Sequence, residues 1–394
     1  MNAPRTATTF PPPVMEARRW LEGANFRPDR PLINVSQAAP VDPPHPDMRA
    51  AMADAVLNDE STHLYGPVLG LPDLRLTLAR RTSVIYDGAV TDAQVAITSG
   101  CNQAFAAAIA TLCAEGDEVM LPVPWYFNHK MWLDMGGVTA VPLPCDGAMQ
   151  PQIDAARAAI TDRTRAIALV TPNNPTGQEY PPALMEAFFD LCAEHGIALI
   201  VDETYRDFHA ETGAPHTLFK RADWDKTLVH LYSFSKAYRL TGHRVGAVIT
   251  SETRLAEVEK FLDTVAICPA QVGQRAALWG MENLDQWLAG ERAEILLRRA
   301  TIAELFPPFA ADGWELMGLG GYFAYLRHPF ALSSAELAPK LVRDAGILCL
   351  PGTMFHPEGG GGQELRIAFA NLDAGGIATL FDRLAHLDLP RRTG

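Results

Sequence analysis

Between about residues 50 and 270, short apolar runs alternate with stretches whose apolar residues recur every three to four positions. Strand-length runs separated by helix-period segments predict an α/β unit on a mostly parallel sheet. Five runs stand out: Val95–Thr98, Glu118–Leu121, Ala166–Val170, Ile197–Val201 and Leu228–Tyr232. Each leads directly into polar or aromatic residues. These are Ser99-Gly100-Cys101-Asn102, Pro124-Trp125-Tyr126, Asn173 to Gly177, Asp202-Glu203-Thr204-Tyr205 and Ser233-Phe234-Ser235-Lys236. Open α/β sheets bind ligands at the carboxyl ends of their strands, so the order predicts one pocket shared by all five sets. From about residue 290 a helical pattern restarts (Glu291 to Phe306) and separate strand-like runs follow. This predicts a large unit over 50–289 and a smaller one over 290–394, which the arm at 1–49 partly joins. The arm is Pro-rich, with one short helix expected around Met15 to Leu21. The Gly359–Gly362 tract reads as a flexible loop tip.

The length of 394 residues fits such a division, since a domain averages about 150 residues. A formal net charge of −13 disfavours binding to a phosphate backbone, so no nucleic-acid partner is expected. The six cysteines are scattered with no C-x-x-C pair, which points to a reducing compartment and no zinc or redox motif. The N-terminal residues lack the apolar core of a signal peptide. The longest uncharged run, Val95 to Ala114, has Ser-Gly-Cys-Asn-Gln at its centre, which a membrane-spanning helix would not place there. A soluble cytoplasmic protein without membrane partners or metal is the expectation.

Lysine is scarce, with only six in the chain. Five occur in charged or ambiguous contexts. Lys236 follows a strand between Tyr232-Ser-Phe-Ser235 and Ala237-Tyr238, where desolvation lowers an amine's pKa and frees it as a nucleophile. Asp202 ends a run of aliphatic residues; it reads either as a helix cap or as a buried carboxylate that needs a cation. Ser99 to Asn102 opens a helix at a strand–Gly–helix junction suited to a phosphate, although no Walker Lys follows. Arg366 sits inside the apolar strand pattern Leu365-Arg-Ile-Ala-Phe369, and its guanidinium suits a carboxylate or phosphate.

Together these motifs resemble the fold-type I pyridoxal-phosphate enzymes, specifically the class I and II aminotransferases of the aspartate aminotransferase superfamily. The resemblance spans about Leu32 to Ala370. It rests on Tyr65-Gly-Pro with Gly70-x-x-x-Leu-Arg75, Ser99-Gly-Cys-Asn102, Asn173-Asn-Pro-Thr-Gly177, Asp202-Glu-Thr-Tyr205, Ser233-Phe-Ser-Lys236 with Arg244-Val-Gly246, and Gly320-Gly-Tyr-Phe323 with Arg366, in the family's order. It implies a large domain with a mostly parallel seven-stranded sheet and a smaller α+β domain.

It also implies roles. Lys236 would anchor pyridoxal 5′-phosphate and move the substrate proton. Asp202 would pair with the ring nitrogen. Asn174 and Tyr205 would contact the ring oxygen, and Tyr126 would stack on the ring, with Trp125 the competing choice by one residue. Gly100, Cys101, Asn102, Ser233 and Arg244 would bind at the phosphate end. Tyr65 would reach the phosphate of a neighbouring subunit in a homodimer with shared sites. Arg366, with Asn174 and Ala38 beside it, would hold the substrate. The implied reaction passes an amino group from an L-amino acid to a 2-oxo acid by a ping-pong route. Asn102 stands where some members carry a Lys for an acidic side chain, and Trp125, Tyr126, Tyr65 and Tyr322 suit a neutral or aromatic one. The same motifs also serve a lyase that cleaves Cβ–S bonds. A non-catalytic binding protein is the third reading, and the intact Lys236, Asp202 and Arg366 argue against it.

Overall fold

The computed structural model describes residues 4–392; the first three and last two positions of the expected outer segments lie outside them. The strands are β1 (Ile33–Asn34), β2 (Val95–Thr98), β3 (Glu118–Val123), β4 (Thr139–Pro144), β5 (Thr164–Val170), β6 (Ala198–Asp202), β7 (Leu228–Ser233), β8 (Gly246–Ile249), β9 (Glu315–Gly320), β10 (Phe323–Arg327), β11 (Ile347–Leu348), β12 (Leu350–Pro351) and β13 (Glu364–Ala368). Seven form one sheet in the order β2-β8-β7-β6-β5-β3-β4. Every neighbouring pair is parallel except the two that involve β8. This is the expected seven-stranded, mostly parallel sheet.

The sheet is covered on both faces, as burial of parallel strands requires. One layer of core joins Ile97, Ile167, Leu169, Leu199 and Val201 to the helices Pro72–Tyr86, Pro182–His195 and Gln271–Asn283. The other joins Ala96, Val119, Ala168, Ile200 and Val229 to the helices Cys101–Leu112 and Glu252–Ala266. Alternate residues of one strand thus feed opposite cores, which is why these strands read as unbroken apolar runs. A third core gathers Ile33, Val35 and Ala38, and Tyr205 and Phe208 from the turn after β6, with residues from Ile295 to Leu384. It lies on the antiparallel sheet β12-β13-β10-β9 and the two-stranded β1-β11 pair. The expected boundaries at 49/50 and 289/290 both fall inside helices, Pro46–Asn58 and Asp285–Leu305.

The N-terminal arm packs on its own chain. Arg5 pairs with Glu115 at 2.7 Å, Thr9 Oγ1 donates to Asp134 Oδ2 at 3.0 Å, and Ala17 is buried with Phe127, Leu348 and Phe355. Its helix runs over Pro13–Arg19, two residues earlier than expected, because Pro13 at the first helical position starts it. In the Gly359–Gly362 tract, Gly359 and Gly362 face open space, whereas a Cβ on Gly361 would lie 2.4 Å from the Gly352 carbonyl carbon.

Gly177 marks the closest approach between the turn after β5 and the small sheet. Its φ is +76°, and a Cβ there would lie 2.5 Å from the Gly320 N and O and from the Phe323 O. All three atoms belong to backbone, so none yields cheaply. Gly177→Ala is therefore expected to lower the urea midpoint by the equivalent of about 2–4 kcal/mol, through left-handed strain plus displacement of β9. An unchanged midpoint would show that the two sheets do not depend on this contact.

Candidate active site

The carboxyl ends of β2, β3, β5, β6 and β7 meet around one cavity of about 360 Å³. Each of the five predicted sets places at least one side chain in its wall: Cys101 and Asn102, Tyr126, Asn174, Asp202 with Tyr205, and Ser233 with Lys236. Arg244 joins them from the turn before β8.

Lys236 lies in the short helix Phe234–Ala237, whose start Ser233 caps by accepting from Ser235 N. Its Nζ donates to Ala38 O at 2.7 Å. Among the described residues the other five lysines each pair with a carboxylate: Lys130 with Asp134, Lys220 with Asp87, Lys226 with Asp223, Lys260 with Glu257 and Lys340 with Asp344. Lys236 has a neutral carbonyl instead. Burial, then the nearby Arg244 and Arg366 charges, bring its pKa down to about 8.

Asp202 closes β6 and is buried. One carboxylate oxygen accepts from Thr204 N at 3.0 Å, and the other lies 3.3 Å from His129 Nε2. Burial alone would raise its pKa, but the His129 and Thr204 contacts outweigh that and hold it below the usual carboxylate range. His129 is itself buried and stacks on Phe105 with centroids 3.7 Å apart. Sequence reasoning missed His129. Its signal was faint: a histidine one turn after Tyr126, at the start of the helix Phe127–Gly136.

The neighbouring acids keep their protons. Burial pushes the Tyr126 phenol up to about 12, and it pushes Cys101 and Tyr205 well above their usual values. Tyr126 hydroxyl contacts the Asn102 and Asn128 amides at 3.2 and 2.9 Å. Trp125 is buried and absent from the cavity wall, whereas Tyr126 lines it.

At one end the helix Cys101–Leu112 presents its N-terminus. Gly100 there has φ +89°, and a Cβ would lie 2.2 Å from Arg244 Nη2. Arg244 itself takes a left-handed φ of 52° and donates to Thr241 O at 3.0 Å and Ser235 Oγ at 3.4 Å. A helix N-terminus, a guanidinium and the hydroxyls of Ser233, Ser235 and Thr241 together make an anion site.

Arg366 is only 2% exposed and sits behind Asn174, donating to its Oδ1 at 2.9 Å and to Ser36 O. The Phe355, Phe323 and Phe127 rings lie 4.9, 5.1 and 5.8 Å from its guanidinium carbon. Burial lowers its pKa to about 10, which leaves it cationic at neutral pH. Asn173 faces away and builds the turn, accepting from Thr176 N and donating to Tyr180. Ala38 contributes its carbonyl. Tyr65 lies outside the cavity and is 81% exposed. Tyr322 is buried against Tyr205 and Phe208. Of the four aromatics expected to suit a side chain, Tyr126 alone lines the cavity; packing against their own cores takes Trp125 and Tyr322 out.

The cavity thus holds an anion site, a buried carboxylate that needs a cation, and an unpaired amine. Those three features fit the phosphate, the ring nitrogen and the aldehyde carbon of pyridoxal phosphate.

Comparison with known proteins agrees. Residues 30–384 match the family model "Aminotransferase class I and II". The chain is 32% identical over 328 residues to an arginine–pyruvate transaminase of Pseudomonas aeruginosa, covering 81% of each. It is 30% identical over 319 residues to an aromatic aminotransferase of Arabidopsis thaliana, covering 78% of this chain and 77% of that one. Its fold superposes on aspartate aminotransferase of Thermus thermophilus with a TM-score of 0.88 at 22% identity, covering 98% of this chain and 99% of the other. The chain belongs to the class I and II aminotransferase family, and is a pyridoxal-phosphate-dependent transferase with the aspartate aminotransferase fold.

Proposed function

We propose that this cavity is the active site, that Lys236 anchors the cofactor and carries the substrate proton, and that Arg366 with Asn174 holds the α-carboxylate of each substrate in turn. The observation that carries the reading is Lys236: among the described residues the one lysine without a carboxylate partner, its amine depressed to about 8, in the wall that also holds Asp202. Pyridoxal phosphate, when bound, supplies an electron-withdrawing ring that stabilises negative charge at the substrate's Cα. Asp202 offers a fixed negative charge that keeps a protonated ring nitrogen in place. Arg244, Ser233 and the Gly100–Asn102 turn would hold the phosphate, and Tyr205 and Asn174 would lie at the ring oxygen. Since Cys101, Tyr126 and Tyr205 all retain their protons, Lys236 is the lining group able to accept and return one near neutral pH.

The donor in this reading has a neutral or aromatic side chain. A second cavity of about 210 Å³ shares Asn102 and Asn128 with the first and is lined by Phe105, Met131, Trp132 and Met135. It offers apolar space where Asn102 brings no charge, and the similarity to an aromatic aminotransferase points the same way.

The reading includes a cytoplasmic homodimer with shared sites. Tyr65 and Leu64 are exposed, and Gly66 N donates to Cys268 Sγ at 3.4 Å, next in the chain to the exposed Ile267. That makes an apolar patch of the kind subunits cover. It also includes the division into a large unit over 50–289 and a small one formed by 290–394 with part of the arm; the core of the small one draws only Tyr205 and Phe208 from the large one.

Three outcomes follow. Borohydride reduction of the cofactor-loaded protein should fix the cofactor mass on the Lys236 peptide, and aldehyde uptake by the bare protein should rise with a pH midpoint near 8; a label elsewhere would refute the anchor. Asp202→Ala should lower kcat by on the order of a hundredfold or more while Lys236 is still labelled; near-normal turnover would remove Asp202 from the mechanism. Mixing Tyr65→Ala with Lys236→Ala subunits should restore activity, because a hybrid dimer has one site with both residues intact. Activity that stays at the sum of the two variants would contradict shared sites.

A further inference from the structure

Lys236 has one hydrogen-bond partner among the described residues, the Ala38 carbonyl at 2.7 Å. That carbonyl belongs to the segment Ser36 to Ala39, which is neither helix nor strand. No ladder aims it, so side chains must. Ser36 O accepts from Arg366. The rest falls to Asn371. Its Nδ2 donates to Gln37 O at 2.7 Å and to Asn34 O at 3.0 Å, and its Oδ1 accepts from Ala39 N at 3.3 Å. Among the described residues Ala39 N has no other partner.

The Gln37 carbonyl and the Ala39 N–H flank Ala38. In an extended chain these two groups point to the same side, and the carbonyl between them points to the other. One side-chain amide that donates to the first and accepts from the second therefore acts as a neighbouring strand would. It fixes the plane of the chain and sends Ala38 O to the opposite side, where Lys236 lies. Pro40 follows and biases Ala39 toward extended backbone. Asn371 is itself firmly mounted. It closes the short helix Phe369–Asn371, directly after β13. Ala370 O beside it accepts from Arg298 Nη1 at 2.7 Å, and Ala368 N donates to Val35 O at 2.9 Å. The Asn371 side chain is absent from the cavity wall.

The Lys236 amine leaves the cofactor and returns to it in each half-reaction. Its acceptor must therefore hold still while the amine is elsewhere. A misplacement of about 1 Å at a reacting group costs on the order of a hundredfold in rate. We propose that Asn371 is a positioning residue for this reaction, holding the Gln37 carbonyl and the Ala39 amide so that Ala38 O stays aimed at Lys236 whether or not the amine is there. The proposal rests on the reading of Lys236 as the reacting amine. Asn371 acts through the backbone on either side of Ala38, without touching the space that substrate and cofactor fill.

Asn371→Ala and Asn371→Leu are compared with wild type as full-length chains. Both lose the three hydrogen bonds, and Leu keeps the volume. The first readout is the pH midpoint for uptake of pyridoxal phosphate by the cofactor-free protein. The titratable and charged groups around Lys236 are Arg244, Arg366, Asp202, Tyr205, Tyr126 and Cys101, and all remain in both variants. The ammonium alone loses its acceptor, so the midpoint should fall by about half a unit or more in both. A midpoint that stays put, rises toward that of an ordinary lysine, or moves only in Asn371→Ala would overturn the proposal, because a role in packing alone admits water or changes nothing. In the cofactor-loaded variants kcat should fall about tenfold or more, while KM stays within about threefold because Arg366 keeps Asn174 and its own strand. An unchanged kcat, or a loss confined to KM, contradicts the proposal. Hydrogen exchange on the wild type needs no variant. The Ala39 amide should exchange at least about tenfold more slowly than a free amide, and exchange at the free rate would rule the clamp out. Borohydride labelling separates the two claims. A wild type with no cofactor on Lys236 overturns both, whereas a labelled wild type with unmoved variants overturns the role of Asn371 alone.

Discussion

The site is organised around a charge placed where charge is costly. Asp202 ends the central strand of a sheet whose two faces are packed with aliphatic side chains. A carboxylate there is stable only with partners, and it has two, the Thr204 amide and the His129 ring. Each partner constrains something larger. Thr204 fixes the turn that carries Tyr205 into the wall. His129 fixes the helix that carries Tyr126 and Asn128, and its stack on Phe105 ties that helix to the one at the phosphate end. Removing the charge would loosen three of the five strand ends at once.

The opposite problem is solved around Lys236. Here the fold withholds a partner, giving the amine only the Ala38 carbonyl and two repelling arginines. A depressed amine and a stabilised carboxylate across one small cavity are a pair of environments tuned in opposite directions. Such pairs mark sites of acid–base chemistry. The segment that supplies the Ala38 carbonyl also supplies the Ser36 carbonyl to Arg366, so the Lys236 amine and the Arg366 guanidinium share one support.

Much of this was legible in the chain itself. The five strands with polar tails are apolar on both faces and read as plain runs. Lys236 stood out through the scarcity of lysine, and Asp202 through its place at a strand end. Two strands did not show. β4 is an edge strand interrupted by Pro142 and Pro144, and β8, no longer than β2, opens at Gly246, which belongs to the Arg244-Val-Gly246 motif. His129 was hidden because its meaning comes from a carboxylate on another strand. Trp125 and Tyr322 are buried in neighbouring cores rather than in the cavity wall, a placement that a linear reading does not resolve.

The account stands on Asp202 being ionised inside the fold. A difference infrared spectrum between the wild type and Asp202→Asn, recorded at pH 5 to 6, observes this carboxyl group directly. The account predicts a carboxylate band that persists through this range and weakens when His129 is replaced by Leu. A protonated carbonyl band in the wild type would mean that the buried charge is absent, and with it the basis for holding a cation at the centre of the site.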